Sequence, residues 1–422
     1  MASPEPGAST PSATASSAPA RLPRSRFLVV ASIFLLSWIL YIDRAAISSA
    51  KAAIASELGL SDQAMGAVFS AFILGYALMQ IPGGWFADRF GPRLALAAMV
   101  SLWSLFTFLT GTAHTLGPLL AVRFLFGVGE AGAFPGSART FYNWLPASER
   151  GIANGILFSG AMIGGGISYP ICAWLLGLVG WRNMFFLLAV PGFLWALLWA
   201  IFFRNHPSQP VAKEDAAAGA PRMPLSQIFR SGPLLLAMAQ YFAGNFTFYI
   251  GVTWMLPYLT EHYRLSASQA ANYAMVPLIC GALSNWTAGL IVDFLYRAGF
   301  HAWSRRFPGI LGFLLAAIGI WSVSLAGSPF TAVVGFAVAI FGVELTISPS
   351  WSYCMDIGGK SSGSVSGAMN MIGNLGGFVS SNAFPFLSRI TGSASAYFYA
   401  AALLNLAGAA CWIQMRPRKS RG

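Results

Sequence analysis

Residues 117–144 read GPLLAVRFLFGVGEAGAFPGSARTFYNW. A bilayer crossing needs about 20 largely apolar residues, and this stretch meets that need while carrying Arg123 and Glu130 well inside it. A separation of seven residues is close to two helical turns, so both charges fall on one face with Gly127 between them. An isolated charge at the bilayer centre costs about 2.5–3.5 kcal/mol on the mildest scale, so such residues line wet cavities and mark substrate or proton paths. One reading is a buried ion pair that only holds helices in register. The preferred one is a fixed cation for an anionic substrate, beside a carboxyl that can gain and lose a proton.

Composition agrees with a chain that lives in lipid. Of 422 residues, 56% are hydrophobic and 9% charged, where a soluble chain carries about 25% charged residues. The reading is an all-α polytopic membrane protein. The net charge of +12 would suggest a nucleic-acid partner in a soluble chain. Here the basic residues sit in short connections, so no nucleic acid is expected and the lipid bilayer is the surrounding partner. Cys172, Cys280, Cys354 and Cys411 lie in or at the ends of apolar stretches with no ligand spacing, and read as small apolar residues. Residues 1–20 hold Ala, Ser, Pro and Thr with no Arg, which fits a disordered cytosolic tail better than a transit peptide.

The length criterion gives twelve spans, at about 27–50, 64–86, 93–113, 117–144, 151–178, 183–203, 233–259, 268–296, 307–327, 330–354, 362–387 and 394–415. The expected organisation is a tail 1–26, a six-helix bundle 27–203, a cytosolic linker 204–232, a second six-helix bundle 233–415 and a tail 416–422. With the amino terminus inside, eighteen of the 25 Lys and Arg residues face the cytoplasm, four face outward and three lie within spans. That asymmetry places both termini in the cytoplasm, with a bacterial inner membrane as the expected location.

The two halves echo each other. The pentapeptide at Gly84–Asp88 (GWFAD) matches GLIVD at Gly289–Asp293, Gly155 in the glycine series before Pro170 matches Gly367 in that before Pro385, and Pro135 matches Pro349, at offsets of 205, 212 and 214 residues. Parallel repeats of this kind mark transporters whose substrate site lies between the halves near the midplane.

The segment Gly83-Gly-Trp-Phe-Ala-Asp-Arg-Phe-Gly-Pro-Arg93 resembles the loop signature of the major facilitator superfamily, which implies the twelve-helix, two-bundle major facilitator fold. In it Gly84, Asp88, Arg89, Gly91 and Arg93 would form a cytoplasmic gate. Independently of the resemblance, its glycines permit close helix approach and Asp88 can cap a neighbouring helix or pair with an arginine. Further blocks are similar to the anion:cation symporter family, which includes bacterial sugar-acid transporters and animal organic-anion carriers: Tyr41-Ile-Asp-Arg44, Gly75 to Pro82, Arg123 to Pro135, Trp144 to Gly151, Gly180-Trp-Arg182 and Met369 to Asn374. The resemblance implies that Arg123 and Glu130 form the pair coupling substrate to proton. Asp43 would be a second protonatable group, with Arg44 its neighbour. Tyr76, Ser348, Ser350, Trp351, Asn370 and Asn374 would line the cavity. Tyr76, Asn370 and Asn374 read equally well as hydrogen-bonding glue between helices. Asn245 and Tyr249 are further cavity candidates, whereas Trp254 and Tyr258 read as anchors at the membrane surface. Pro349 leaves its span locally broken, which suits backbone that lines a cavity.

Two departures from the family pattern stand out. Some sugar-acid members carry a long polar residue where Ser159-Gly160 is here followed by Ala161, which counts against a highly hydroxylated substrate in that pose. Glu344 is an additional buried acid, read as a third proton-coupling group or a partner for a cation or for Arg44. The function expected is proton-coupled uptake of a small organic anion, such as a sugar acid or other carboxylate, by a monomer using alternating access. The proton is the coupling ion, with no other cofactor and no metal. The competing reading is a drug antiporter of the same superfamily, although Gly164-Gly-Gly166 is not followed by proline and the arginines would repel cationic drugs. An enzyme is not expected, because His114, His206, His262 and His301 all fall in loops or at span ends.

Overall fold

The computed structural model describes residues 24–207 and 222–415. The expected tails, apart from residues 24–26, and the middle of the expected linker lie outside them. Every element among the described residues is helical. Nine helical stretches there are long and apolar enough to cross a membrane, and two of them, Arg150–Phe202 and Pro329–Thr391, hold 53 and 63 residues. At 1.5 Å per residue each is long enough to cross the hydrocarbon core twice. Large apolar side chains such as Phe202, Phe294 and Leu403 are exposed around the outside, which suits lipid as the surrounding solvent.

In chain order, α1 (Ser25–Ser49) is followed by a short α2 (Lys51–Leu58) and then α3 (Asp62–Phe90), which Ser61 caps through the amide of Ala64. Gly91, at φ +86°, turns the chain into α4 (Pro92–Thr110) with proline at its first position, the backbone a glycine supplies at least cost. Then come α5 (Leu116–Glu130), α6 (Ala133–Trp144) and α7 (Arg150–Phe202), the last interrupted at Gly180, whose φ is +74°. Beyond a short α8 (Leu225–Ile228), α9 (Gly232–Tyr249) passes through a π-helical turn at Ile250–Trp254 into α10 (Met255–His262). The remainder is α11 (Ala267–Arg297), α12 (His301–Val323), α13 (Pro329–Leu345), α14 (Ile347–Gly358), α15 (Ser362–Thr391) and α16 (Ser395–Gln414).

The stretch 117–144 is therefore two helices with a break at Ala131–Gly132, and α13 and α14 part in the same way at Thr346. Each break has a local cause. Proline cannot donate to the carbonyl four residues earlier, and its ring clashes there. For Pro135 and Pro349 those carbonyls belong to Ala131 and Leu345. The expected break in the second half is thus present, but it opens ahead of Pro349.

Two glycine-lined crossings join the first half of the chain to the second. A Cβ on Gly84 would sit 2.2 Å from the Gly363 carbonyl, and one on Gly367 would sit 2.5 Å from the Gln80 carbonyl, so α3 and α15 touch backbone to backbone. The crossing of α7 and α11 repeats this pattern: a Cβ on Gly155 would lie 2.5 Å from the Asn285 carbonyl, and one on Gly289 would lie 2.8 Å from the Gly151 carbonyl. Trp254 and Tyr258 do not face outward as expected. The Trp254 indole donates to the Ser381 carbonyl and stacks on Phe384, while Tyr258 is buried among Phe336 and Phe398.

The crossings give a direct test. Gly84→Ala should lower the melting temperature of the purified protein, because overpacking against backbone costs about 1–3 kcal/mol. Gly117→Ala, with nothing within 4 Å of the added methyl, should leave it unchanged. Equal effects at both positions would contradict the close approach of α3 and α15.

Candidate functional site

Four charged residues from α1 and α5 meet at the centre of the first half. Asp43 and Arg44 are neighbours on α1, and Arg123 and Glu130 lie on α5. The expected ion pair between Arg123 and Glu130 is not formed. Along one helix the two are about 10.5 Å apart in rise, and the partner of Glu130 comes instead from across the bundle. Arg44 Nε donates to Glu130 Oε1 at 2.5 Å, and Arg44 Nη2 contacts the same oxygen. Glu130 is fully buried while the Arg44 side chain keeps 24% of its surface exposed. The pair is therefore open on its arginine side. Glu130 Oε2 has no hydrogen-bond partner.

Aromatic rings set the positions of the two arginines. The Arg44 guanidinium lies 5.3 Å from the ring of Tyr41, 5.3 Å from that of Phe72 and 4.6 Å from that of Tyr76. The Arg123 guanidinium lies 5.3 Å from Phe72 and 4.4 Å from Phe126, so the Phe72 ring is next to both cations. Arg123 is 2% exposed and makes no ion pair within 4 Å among the described residues, with Asp43 and Glu130 close enough to feel its charge. Asp43 is also buried, beside the Trp103 indole and the Thr107 hydroxyl. Gly127 lets this arrangement close, since a Cβ there would sit 2.3 Å from the Phe72 carbonyl.

The second half supplies amides and aromatics. Asn370 Nδ2 donates to Gln80 Oε1 at 2.9 Å and lies 3.5 Å from the Tyr76 hydroxyl, which ties α15 to α3 beside Arg44. Asn374 bonds the Asn370 carbonyl and Asn245 the Tyr241 carbonyl; both are half-buried, as is Tyr249, which packs flat on Gly377. Trp351 is fully buried between Phe134 and Phe158 of the first half and Tyr241 of the second, with its indole donating to the Tyr241 hydroxyl at 3.0 Å.

Three expectations for this wall need correction. Ser348 is completely buried and donates to the Gly151 carbonyl at 2.7 Å, so it stitches α14 to α7 and lines nothing. Ser350 is equally buried, bonded to the Thr346 carbonyl and to Gln240. A serine in a helix turns its hydroxyl to the nearest unspent carbonyl when no water is at hand. Glu344 does not meet Arg44; its Oε2 accepts from Asn285 Nδ2 at 2.6 Å.

The loop signature acts at one end of the molecule. Asp88 accepts from the backbone amides of Gly363 and Ser364 at 2.9 and 2.7 Å, and from the Ser364 hydroxyl. These are the second and third residues of α15, whose own N-cap, Ser361, makes no side-chain cap. Asp293 does the same for α7, accepting from Gly151 and Ile152 at 2.9 Å each. Each half thus caps a helix of the other, where amides are unpaired and the helix dipole favours an anion. Asp356 adds to the closure by accepting from Arg150 at 3.0 Å and Arg305 at 3.1 Å, and Arg139 donates to the Gly359 carbonyl. Arg93 grips the Ala200 carbonyl, Gly91 leaves room for Asn205, and Arg89 is exposed. Away from this end, Gly180-Trp-Arg182 is a clasp. Trp181 and Arg182 both donate to Glu57 and hold its carboxyl below the usual carboxylate range.

Sequence reading missed Gln80, Asn285, Asp356 and the capping role of Asp293. The repeat carried the signal for two of them: the offset that joins Asp88 to Asp293 also joins Gln80 to Asn285. Asp356 has no such signature. Among the described residues no group of three His, Cys, Asp or Glu side chains is arranged to hold a metal.

A family model described as Major Facilitator Superfamily matches residues 33–381. The chain is 33% identical to a probable sulfoacetate transporter of Cupriavidus necator, across 93% of this chain and 94% of that one. It is 31% identical to a probable galactarate/D-glucarate transporter of Escherichia coli, across 87% and 88%. Its fold superposes on a variant of the Escherichia coli fucose:proton symporter with a TM-score of 0.74 at 14% identity, covering 94% of this chain and all of that one.

Removing either capping carboxylate should loosen the closed end. Asp88→Ala and Asp293→Ala each strip two helix amides of their acceptor, a loss of about 1–2 kcal/mol. A cysteine placed at buried Ser352 should then react with maleimide about tenfold faster. Unchanged labelling in both variants would show that the caps do not hold the halves together.

Proposed function

The chain belongs to the Major Facilitator Superfamily, and from that premise we propose that it carries a small organic anion across the membrane together with protons. In this reading it is a monomer of twelve spans in two six-helix bundles, 27–203 and 233–415, joined by a cytosolic linker at 204–232. The excess of Lys and Arg near the Asp88 end makes that end cytoplasmic, with both termini there and a bacterial inner membrane as the setting. The bonds clustered at the Asp88 end then belong to a state closed toward the cytoplasm.

One observation carries the mechanism: a fully buried glutamate holds a partly exposed arginine. While Glu130 is ionised it occupies Arg44, the partly exposed arginine of the cluster, and Arg123 is buried behind Phe72. A proton on Glu130 cancels that hold. The guanidinium then meets a carboxylate or sulfonate from the cavity, in the paired geometry that suits it. Tyr41, Phe72 and Tyr76 keep Arg44 in place meanwhile. Arg123, behind Phe72, is the standing counter-charge to Asp43 and Glu130, and Asp43 is a further proton site. One proton on Glu130 and one anionic group on Arg44 keep the net charge of the four-residue cluster at zero, with Arg123 still balanced by Asp43, and this permits the two halves to rock about the midplane. Asn370, Asn374, Asn245, Tyr249 and Tyr76 supply polar contacts to the rest of the substrate, and the buried Trp351 packs the two halves together.

The related transporters of sulfoacetate and of galactarate/D-glucarate support a small organic acid as cargo. Ala161, where some sugar-acid carriers have a long polar side chain, favours a short anion with few hydroxyls. Of the gate residues, Gly84 and Asp88 act with Asp293 and Asp356 on the cytoplasmic closure, Gly91 and Arg93 fasten the same end within the first half, and Arg89 is exposed.

Proteoliposome uptake of sulfoacetate, galactonate and D-glucarate under an imposed inward proton gradient tests this reading. The wild type should concentrate at least one of them. Glu130→Gln should exchange that acid across the membrane without concentrating it, and Arg44→Lys should lose most binding, since a single ammonium does not reproduce the guanidinium fork. Uphill uptake by Glu130→Gln would overturn the assignment.

A further inference from the structure

The acid of the first half has a counterpart in the second that no loop motif announces. Glu130 and Glu344 are 214 residues apart, the same separation as Pro135 and Pro349. Glu130 is the last residue of α5 and Glu344 the last but one of α13, so each acid stands at the break its proline creates. Discontinuous helices of this kind carry the substrate and ion sites of many secondary transporters. The amides correspond too. Gln80 and Asn285 are related by the offset of 205 that relates Asp88 to Asp293. The cation is what differs: the residue 205 beyond Arg44 is Tyr249. The second half keeps the acid and the amide and lacks the arginine.

Glu344 is 4% exposed, and a cation does not reach it among the described residues. Its hydrogen-bond partner is Asn285 Nδ2 at 2.6 Å, and that nitrogen also donates to the Gly281 carbonyl at 3.2 Å. The carbonyl can only accept, so the amide orientation is set and Asn285 presents N–H to the acid. Asn285 Oδ1 is buried without a partner. Gly281 makes room for the acid, since a Cβ there would lie 3.1 Å from Glu344 Cγ. The titratable groups that reach Glu344 from the packed elements are the phenols of Tyr41 on α1 and Tyr241 on α9. The charged residues Asp293 and Arg297 of α11, and Arg305 and Arg306 of α12, stand near the connection between those helices. Asp293 is twelve residues from Gly281, about 18 Å along the helix.

We propose that Glu344, held by Asn285, is a proton-exchanging carboxyl of the second half, the counterpart there of Glu130; this rests on the proton-coupled reading above. A buried acid with one amide donor and no cation needs a positive charge from solution. A metal cation wants oxygen ligands, and the amide turns its nitrogen to the acid, so the charge taken up is a proton. At Glu130 the Arg44 cation competes with the proton for the carboxylate, so that acid releases its proton to water when Arg44 returns. Glu344 has no such competitor, and exchanges its proton when the broken helix α13–α14 shifts and wets the site.

Infrared difference spectra of the reconstituted wild type between acid and alkaline buffer test the proposal without needing the cargo. Glu344→Gln keeps an amide in place of the acid, and it should remove one titrating protonated-carboxyl band that remains in Glu130→Gln. Glu344→Asp should keep the band at a shifted frequency, which guards against a misfolded glutamine variant. Spectra of Glu344→Gln identical to wild type would overturn the proposal, as would a Glu344 band that never titrates. A band that responds to sodium in place of pH would overturn it in favour of a metal-cation site. Failure of acid uptake in the proteoliposome assay would sink the transport reading while leaving the carboxyl bands as they are, so the two failures are distinguishable.

Discussion

An ion pair inside a membrane protein is stable only while it is complete. Removing one partner of a buried pair costs about 3–5 kcal/mol, because the other charge is left bare. In this protein Glu130 and Arg44 form such a pair with unequal exposure: the acid is sealed and the arginine is partly open. Whatever neutralises the acid must be matched by an anion on the arginine. That constraint links a proton to an organic anion with no further machinery, and the surrounding rings and the second arginine serve to hold it in place.

The two-fold internal repeat extends the same economy to the scaffold. Each half lends an aspartate to cap a helix of the other, Asp88 on α15 and Asp293 on α7, and each crossing is lined by glycines that bring backbone onto backbone. These contacts have little side-chain mobility to lose and are made or broken together. They suit an interface with two discrete arrangements better than one that deforms smoothly. The site itself departs from the repeat. The first half holds acid with cation and the second acid with amide, so the arginine stands on one side of the repeat alone.

Much of the architecture was legible in the sequence because hydropathy and length dictate where helices can stand in lipid. The helices fall on the expected stretches, and the breaks fall where Pro135 and Pro349 deny a bond to the carbonyl four residues earlier. The capping role of Asp88 was legible from its loop. The partner of Glu130 was not, since same-face spacing on α5 pointed to Arg123, whereas the pairing depends on the long Arg44 side chain reaching across from α1, which packs mainly on α7. Ser348 and Ser350 were misread for a similar reason: polarity in a span signals a cavity or a helix contact alike, and only packing distinguishes them. The bond between Asn285 and Glu344 joins residues 59 apart, and only the full extent of the repeat offsets would have pointed to it.

The central claim, that a proton on Glu130 frees Arg44 for the anion, is tested most directly by equilibrium binding of the transported acid to purified protein as a function of pH. The account predicts that wild-type affinity rises by about tenfold for each unit of acidification where one proton is taken up per anion, and that Glu130→Gln binds tightly with that dependence removed. A Glu130→Gln variant that keeps the wild-type pH dependence would contradict it.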